Sequence, residues 1–250
     1  MRDRIVHQAL VNGIEPIFER RFIFDSFSCR KGKGTHAASY RLRSHLRRAS
    51  SNNSKTIYAL QCDIRKFFDS LDHEILLQLL SKHIQCSKTA SLLKHIVTGF
   101  NAQSGKGVPI GNLTSQLFAN IYLHEFDHFI KHHLKIKWYL RYCDDFVILD
   151  SARDALMKFI PAIKEFLQDT LRLALHPHKI SLRTWNQGID FVGYVHLPYC
   201  TVLRTRTKRR MLHRINSENV TSYFGMCLHA DTYEIQQNLL NMLGGGDEHL

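Results

Sequence analysis

The stretch RYCDDFVILD, residues 141–150, constrains this chain more than any other. A run rich in aromatics precedes Asp144 and Asp145 and an apolar run follows them, so both flanks read as buried strands with the acids on a tight turn between them. Two adjacent carboxylates at such a place repel each other and lose solvation unless a cation neutralises them. Asp is also a favoured turn residue, so the dipeptide alone reads equally as a plain hairpin turn or as part of a cation site.

Composition narrows the partner. The 250 residues carry 34 Lys and Arg against 22 Asp and Glu, a formal net charge of +12 that favours a polyanion, either nucleic acid or an anionic membrane surface. With 44% hydrophobic residues, 5 Pro, 13 Gly and no low-complexity tract, the chain can bury a sizeable core, and disordered and collagen-like classes are excluded. No stretch approaches the roughly 20 apolar residues of a membrane span. The charged, amphipathic start MRDRIVHQALVNGIEPIFE is not a signal peptide, so no membrane partner is expected. Cys29, Cys62, Cys86, Cys143, Cys200 and Cys227 form no CxxC pair and read as reduced thiols of a cytoplasmic protein.

Periodicity predicts a helix over residues 4–18, a loop at RKGKGT, and a second helix that Thr35 would cap. The turn cluster SNNS at 51–54 marks a boundary. Beyond it the pattern reads strand 56–63, helices 72–84 and 88–99, a glycine-rich loop, helix 115–132, strands 138–143 and 146–150, helix 152–170 and strand 179–184. If 72–99 and the loop are an insertion, the remainder is βαββαβ, the ferredoxin-like arrangement. FVGYVHL (191–197) adds strand structure, and RTRTKRRMLHRI opens a basic helical region.

That arrangement brings a third acid to the pair. Asp63 ends the first strand, which neighbours the central hairpin, so Asp63, Asp144 and Asp145 converge. Mg²⁺ favours a few carboxylates completed by substrate phosphates, and two such ions can clamp both oxygens of an in-line phosphoryl displacement. On this reading the acids hold metal and the basic surface holds the polyanion.

The motifs in order carry a family resemblance. YCDD (142–145) resembles the YxDD box of reverse transcriptases, and DIRKFFDSLDH (63–73) their first catalytic aspartate motif. GVPIGNLTSQLFANIYLHEFD (107–127), HPHKI (176–180), FVGY (191–194) and RRFIFDSFSCRKGKGTHAA (20–38) are similar to the next helix motif, the lysine motif, the primer-grip strand and the fingers motif. The resemblance implies an α/β (α+β) right-hand polymerase: partial fingers at 1–54, a ferredoxin-like palm at 55–190 with an insertion near 75–108, and a primer-grip strand with a small helical thumb at 191–250.

It further implies an RNA-directed DNA polymerase with two Mg²⁺ ions, Mn²⁺ being a possible substitute, held by Asp63, the Ile64 backbone, Asp144 and Asp145. Lys179 would protonate the leaving pyrophosphate, and Phe68 would gate the ribose 2′-hydroxyl. Gly111, Ser115, Gln116 and Arg4 would contact the incoming dNTP. Arg30, Lys31, Lys33, Gly193, Arg204, Arg206, Lys208 and Arg209 would contact the RNA template and the DNA or RNA primer. Group II intron and retron enzymes carry QGxxxSP where this chain has IGNLTSQ, with Ile110 for Gln and Gln116 for Pro. That variant is similar to the enzymes of diversity-generating retroelements, which implies a bacterial, archaeal or phage cytoplasm and an accessory basic protein.

Residue by residue, blander roles stand beside these. Phe67 and Phe68 fit a core, Gly111 and Ser115 fit a turn and a helix cap, and RTRTKRR fits a solvated helix face. RKGKG fails the GxxxxGK[ST] pattern of a Walker loop. HEFDH (124–128) is a literal HExxH, so His124, Glu125 and His128 set a zinc hydrolase against the polymerase, and a non-catalytic nucleic-acid binder is the third alternative. Family members usually carry upstream fingers strands whose basic residues grip the triphosphate, and Arg4 would be the last of that set.

Overall fold

The computed structural model describes residues 2–216 and 218–244. Its centre is a sheet of β1 (Ser26–Phe27), β2 (Tyr58–Asp63), β3 (Tyr139–Tyr142), β4 (Asp145–Asp150) and β5 (Ser181–Thr184). Their order is β1-β3-β4-β2-β5, antiparallel throughout except where β1 runs parallel to β3. Without β1 this is the ferredoxin-like order, in which a strand returning from a crossover pairs beside the central hairpin.

The central strands are buried on both faces, as the unbroken run Phe146–Leu149 requires. On one face Leu60, Cys62, Tyr139, Phe146 and Ile148 pack under α1 (Arg2–Glu19), α6 (Leu113–His128) and α7 (Arg153–Leu171). Ala59, Leu140, Val147 and Leu149 point the other way, onto α2 (Thr35–Ala49) and Trp185. Asp63 and Asp145 share this second face by strand alternation.

Between β2 and α6 lie α3 (Phe67–Ser70), α4 (His73–Ser81) and α5 (Ser87–Thr98). The Asp72 carboxylate caps α4, accepting from the backbone N–H groups of Glu74 and Ile75. A second sheet, β6 (Ile189–Phe191), β7 (Tyr194–His196) and β8 (Thr201–Leu203), leads into α8 (Thr205–Arg214), α9 (Val220–Cys227) and α10 (Tyr233–Gly244). These helices close a small core around Tyr194, Met211 and Leu239.

Several expectations change. Gly34, not Thr35, takes the cap position of α2, and the Thr35 hydroxyl lies 3.1 Å from the Tyr142 hydroxyl instead. The helix expected over 115–132 starts at Leu113 and turns into a π-helical segment, Phe129–His133. Asn112, rather than Ser115, precedes it, without a side-chain cap bond. FVGYVHL, read as the edge of a further strand pair, holds the turn of that pair, where Val192 and Gly193 have φ of +46° and +91° and form a two-residue hairpin turn.

Candidate active site

The hairpin that carries the paired acids turns at Cys143 and Asp144, while Asp145 is already the first residue of β4. The tight turn expected at Asp144 and Asp145 is thus shifted by one residue. Cys143 adopts φ +55°, a left-handed conformation that costs a non-glycine residue energy. Its N–H donates to the Phe27 carbonyl at 3.1 Å, which ties the turn to the neighbouring strand.

Strand register then sets the acids against each other: Asp63 is the cross-strand partner of Asp145. A directly opposed like-charge pair is unfavourable in a sheet. Confinement in the cleft, and then a hydrogen bond to Asp63, push the Asp145 carboxyl up to about 7, even though solvent reaches its outer edge. Burial also raises Asp144 above the usual carboxylate range. Lys179 answers the charge from β5's side, its Nζ donating to Asp63 Oδ2 at 2.7 Å, and this bond raises the lysine's own pKa. Ile64 is buried and bridged to Leu175. That bridge uses the Asp63 carbonyl and the Arg65 N–H, so the Ile64 carbonyl takes no part in it.

Oxygen-only donors, two of them pushed up by burial and by neighbouring carboxylates, fit a hard divalent cation, which would relieve the same repulsion. Among the described residues no three His, Cys, Asp or Glu side chains meet as a ready-made metal cage. The charge on Asp63 is met by Lys179 instead.

A cavity of about 360 Å³ opens on these residues, lined by Asp63, Asp145, Lys179, Arg183, Asp190 and Arg204. A second, of about 610 Å³, lies between the YCDD hairpin and α8, with Tyr142, Gly193, Arg206, Arg210 and Arg214 on its walls. Val192 and Arg204 belong to both, so the grooves adjoin.

The remaining candidates separate. Phe68 is half-buried on α3, edge-on to the buried Phe67 at 5.3 Å. Gly111 is exposed at φ +99° before α6, Ser115 is buried, and Gln116 is half-buried. Arg4 is exposed on α1, one turn before His7, whose Nδ1 lies 2.8 Å from Thr114 Oγ1.

In the RKGKG loop the structure departs from the expected template contacts. Arg30 is turned inward, its side chain 5% exposed, paired with Glu19 at 2.7 Å and donating to the Ser26 and Ile23 carbonyls. Lys33 donates to the Phe24 carbonyl and lies 3.2 Å from the centre of the Phe24 ring, and desolvation, then Arg30, lowers its pKa. Both cations brace their own loop; Lys31 stays exposed.

On α8, Lys208 and Arg209 face solvent away from the groove, and Arg204 is paired with Asp190. Arg183, Arg210 and Arg214 also line the cavities; none was named individually as a contact, although Arg210 ends the basic run RTRTKRR. The i, i+4, i+8 spacing of Arg206, Arg210 and Arg214 was the available signal for the last two. For Arg183 it was strand alternation from Ser181, the partner of Gln61.

The zinc alternative fails on the same geometry. His124 and His128 stack edge-on at 4.2 Å, but Glu125 is bonded to Lys82 at 3.1 Å, and no third ligand completes a site among the described residues. Burial holds His124 down at about 4. All six cysteines are free, and no helix among the described residues is long and apolar enough to cross a membrane.

Comparison with known proteins bears on the family and the fold. Protein YkfC of Escherichia coli is 25% identical over 232 residues, covering 78% of this chain and 60% of its own length. The group II intron-encoded protein LtrA of Lactococcus lactis is 31% identical over 142 residues, 54% of this chain and 22% of LtrA. The chain therefore spans only part of these relatives. Among solved structures, telomerase from Candida tropicalis in complex with a fragment of telomeric RNA aligns over 90% of this chain and 41% of its own, at TM-score 0.56 and 15% identity, which shows a shared right-hand polymerase fold. The family model for reverse transcriptase (RNA-dependent DNA polymerase) matches residues 1–196, the span that holds all three acids and Lys179, and the chain belongs to that family.

Proposed function

We propose that this chain is an RNA-directed DNA polymerase that extends a DNA or RNA primer on an RNA template with dNTPs. The observation that carries the reading is the register of Asp63 opposite Asp145, with Asp144 on the adjoining turn and Lys179 bonded to Asp63. Residues 1–54 serve as partial fingers, 55–190 as palm and 191–250 as primer grip and thumb; residues 1, 217 and 245–250 lie outside the described residues.

Asp63, Asp144, Asp145 and the Ile64 backbone would hold Mg²⁺, or Mn²⁺ in its place. Bound there, the ions supply electrostatic stabilisation to the attacking and departing oxygens of the phosphoryl transfer. The chain's own residues do the rest. Lys179, its pKa raised, stays protonated near pH 7 and is placed to give a proton to departing pyrophosphate. Phe68 closes the space a 2′-hydroxyl needs, while Gly111, Ser115 and Gln116 border the nucleotide. Arg206 neutralises phosphate along the second groove, joined by Arg210 and Arg214.

The IGNLTSQ segment, with Ile110 79% exposed, supports membership of the diversity-generating retroelement subclass, with an accessory basic protein as partner. Similarity to LtrA favours a group II intron-type enzyme as the second reading.

Primer extension on an RNA template with Mg²⁺ tests the function. Wild type extends, and Asp144→Ala loses activity by about 10³-fold or more with its melting curve intact; a wild type that binds template–primer without extending it overturns the polymerase in favour of a binding module. For the subclass, Ile110→Gln lowers misincorporation opposite template adenine. A low error rate in wild type that this change leaves untouched removes the subclass.

A further inference from the structure

Beneath the hairpin, on the face opposite the acids, lies a fully buried ion pair for which template binding and phosphoryl transfer have no direct use. Arg141 and Asp127 are both 0% exposed. The guanidinium grips the carboxylate with two bonds, Nε to Oδ1 at 2.7 Å and Nη2 to Oδ2 at 2.6 Å. Tyr139 donates to the same Oδ1 at 2.6 Å. Such a pair is expensive to desolvate, and apolar residues of similar volume often replace one without loss of stability. Its presence here therefore points to something that a purely apolar contact would not do.

That something is visible at the free end of the guanidinium. Nη1 donates to the carbonyl of Cys143 at 2.8 Å, and this carbonyl belongs to the peptide that carries the Asp144 N–H. Nη1 also lies 3.5 Å from Asn120 Oδ1, while Asn120 Nδ2 donates to the Ser28 carbonyl at 3.1 Å. The strained turn residue is thus held by its N–H to Phe27 and by its carbonyl to Arg141. A left-handed conformation at a non-glycine residue persists only where the surroundings over-determine it.

We propose that Arg141, locked by Asp127 and Asn120, is a positioning residue: it fixes the peptide between Cys143 and Asp144 and so sets where the Asp144 carboxylate stands relative to Asp63 and Asp145. It touches no substrate. This inference rests on the polymerase reading for its kinetic consequence, but its structural consequence can be read without catalysis.

Two variants separate positioning from plain stability. Arg141→Met with Asp127→Leu removes both charges together and leaves no orphaned ion. Arg141→Lys keeps a charge on Asp127 but lacks the planar fork that serves the carboxylate and the Cys143 carbonyl at once. Each is compared with wild type for melting temperature, affinity for an RNA–DNA template–primer without dNTP, kcat and KM for dNTP, and the Mn²⁺ affinity of the free protein read by water-proton relaxation. Positioning predicts that Arg141→Lys, and the double variant where it folds, bind template–primer within about 3-fold of wild type and keep KM. It also predicts a kcat lower by about 10²-fold and Mn²⁺ affinity weaker by about 10-fold.

A folded variant with kcat and Mn²⁺ affinity within about 3-fold of wild type overturns the proposal and leaves the pair a stability element. If wild type itself extends no primer, the polymerase reading fails on that result, and the Mn²⁺ titrations decide the brace alone, unchanged affinity sinking it. A double variant that fails to fold passes the decision to Arg141→Lys.

Discussion

Asp63 and Asp145 show how a single residue position turns into chemistry. Either carboxylate at a strand end would be unremarkable by itself; placed opposite each other, with Asp144 adjoining, they form a site whose charge must be answered by Lys179 or a cation. The convergence was legible in the order of strands and helices, because a ferredoxin-like sheet leaves few choices for the neighbour of its first strand. Arg30 was not legible. Whether a loop cation faces solvent or its own fold depends on a counter-ion elsewhere, here Glu19. Two substitutions test this scale. Phe68→Ala raises incorporation of ribonucleotides relative to deoxynucleotides by about 10-fold or more in single-nucleotide extension assays. Because Phe68 packs on Phe67, it also costs about 1–3 kcal/mol in denaturant unfolding. Gly107→Ala lowers stability by about 1–3 kcal/mol, since the residue sits at φ +100° and an added Cβ would lie 2.8 Å from that of Ala102.

Among the elements, α8 separates what helical spacing decides from what composition suggests. Its run of cations reads from sequence as uniformly basic surface. Once Met211 is buried against Tyr194 and Leu239, the helix is rotated so that Arg206, Arg210 and Arg214 line the groove beside Tyr142, while Lys208 and Arg209 look away. Replacing Arg210 and Arg214 by Ala is expected to weaken template–primer binding about equally across sequences, and to flatten the slope of log affinity against log salt by about 1 for each phosphate no longer neutralised. The same change at Lys208 and Arg209 leaves that slope nearly unaltered; equal effects from the two pairs would refute the rotation. A different lesson comes from β6 and β7. The composition of FVGYVHL marks strand, yet the glycine and the register make it a hairpin, which sequence periodicity over so short a run does not resolve.

Over the whole molecule, burial of histidine makes stability depend on pH. Burial holds His45, His124 and His196 each near 4, against 6.5 for a free imidazole. Between those values the unfolded chain takes up protons that the folded chain refuses. The stability these three histidines contribute is therefore complete above about pH 6.5, falls as the pH drops through the window, and levels off below about 4, while Asp145, raised to about 7, opposes that fall as one group against three. The urea midpoint should decline from about pH 7 to about pH 4.5, and His196→Gln together with His124→Leu should flatten the decline, each histidine contributing on the order of 1–3 kcal/mol. A slope that ignores both substitutions would place the acid sensitivity elsewhere.

The sequence by itself determined the order of β2 to β5 with the longer helices between them, the excess of positive charge, and the strand ends at which Asp63 and Asp145 face each other. These follow from local periodicity and from the few ways a βαββαβ chain can close. Only the tertiary structure decided which cations are turned inside the fold, which arginines of α8 face the groove, and that Arg141 reaches under the sheet to the Cys143 carbonyl. Those outcomes depend on rotation and on partners far away in the chain, such as Glu19 for Arg30 and Asp127 for Arg141. No local pattern records them.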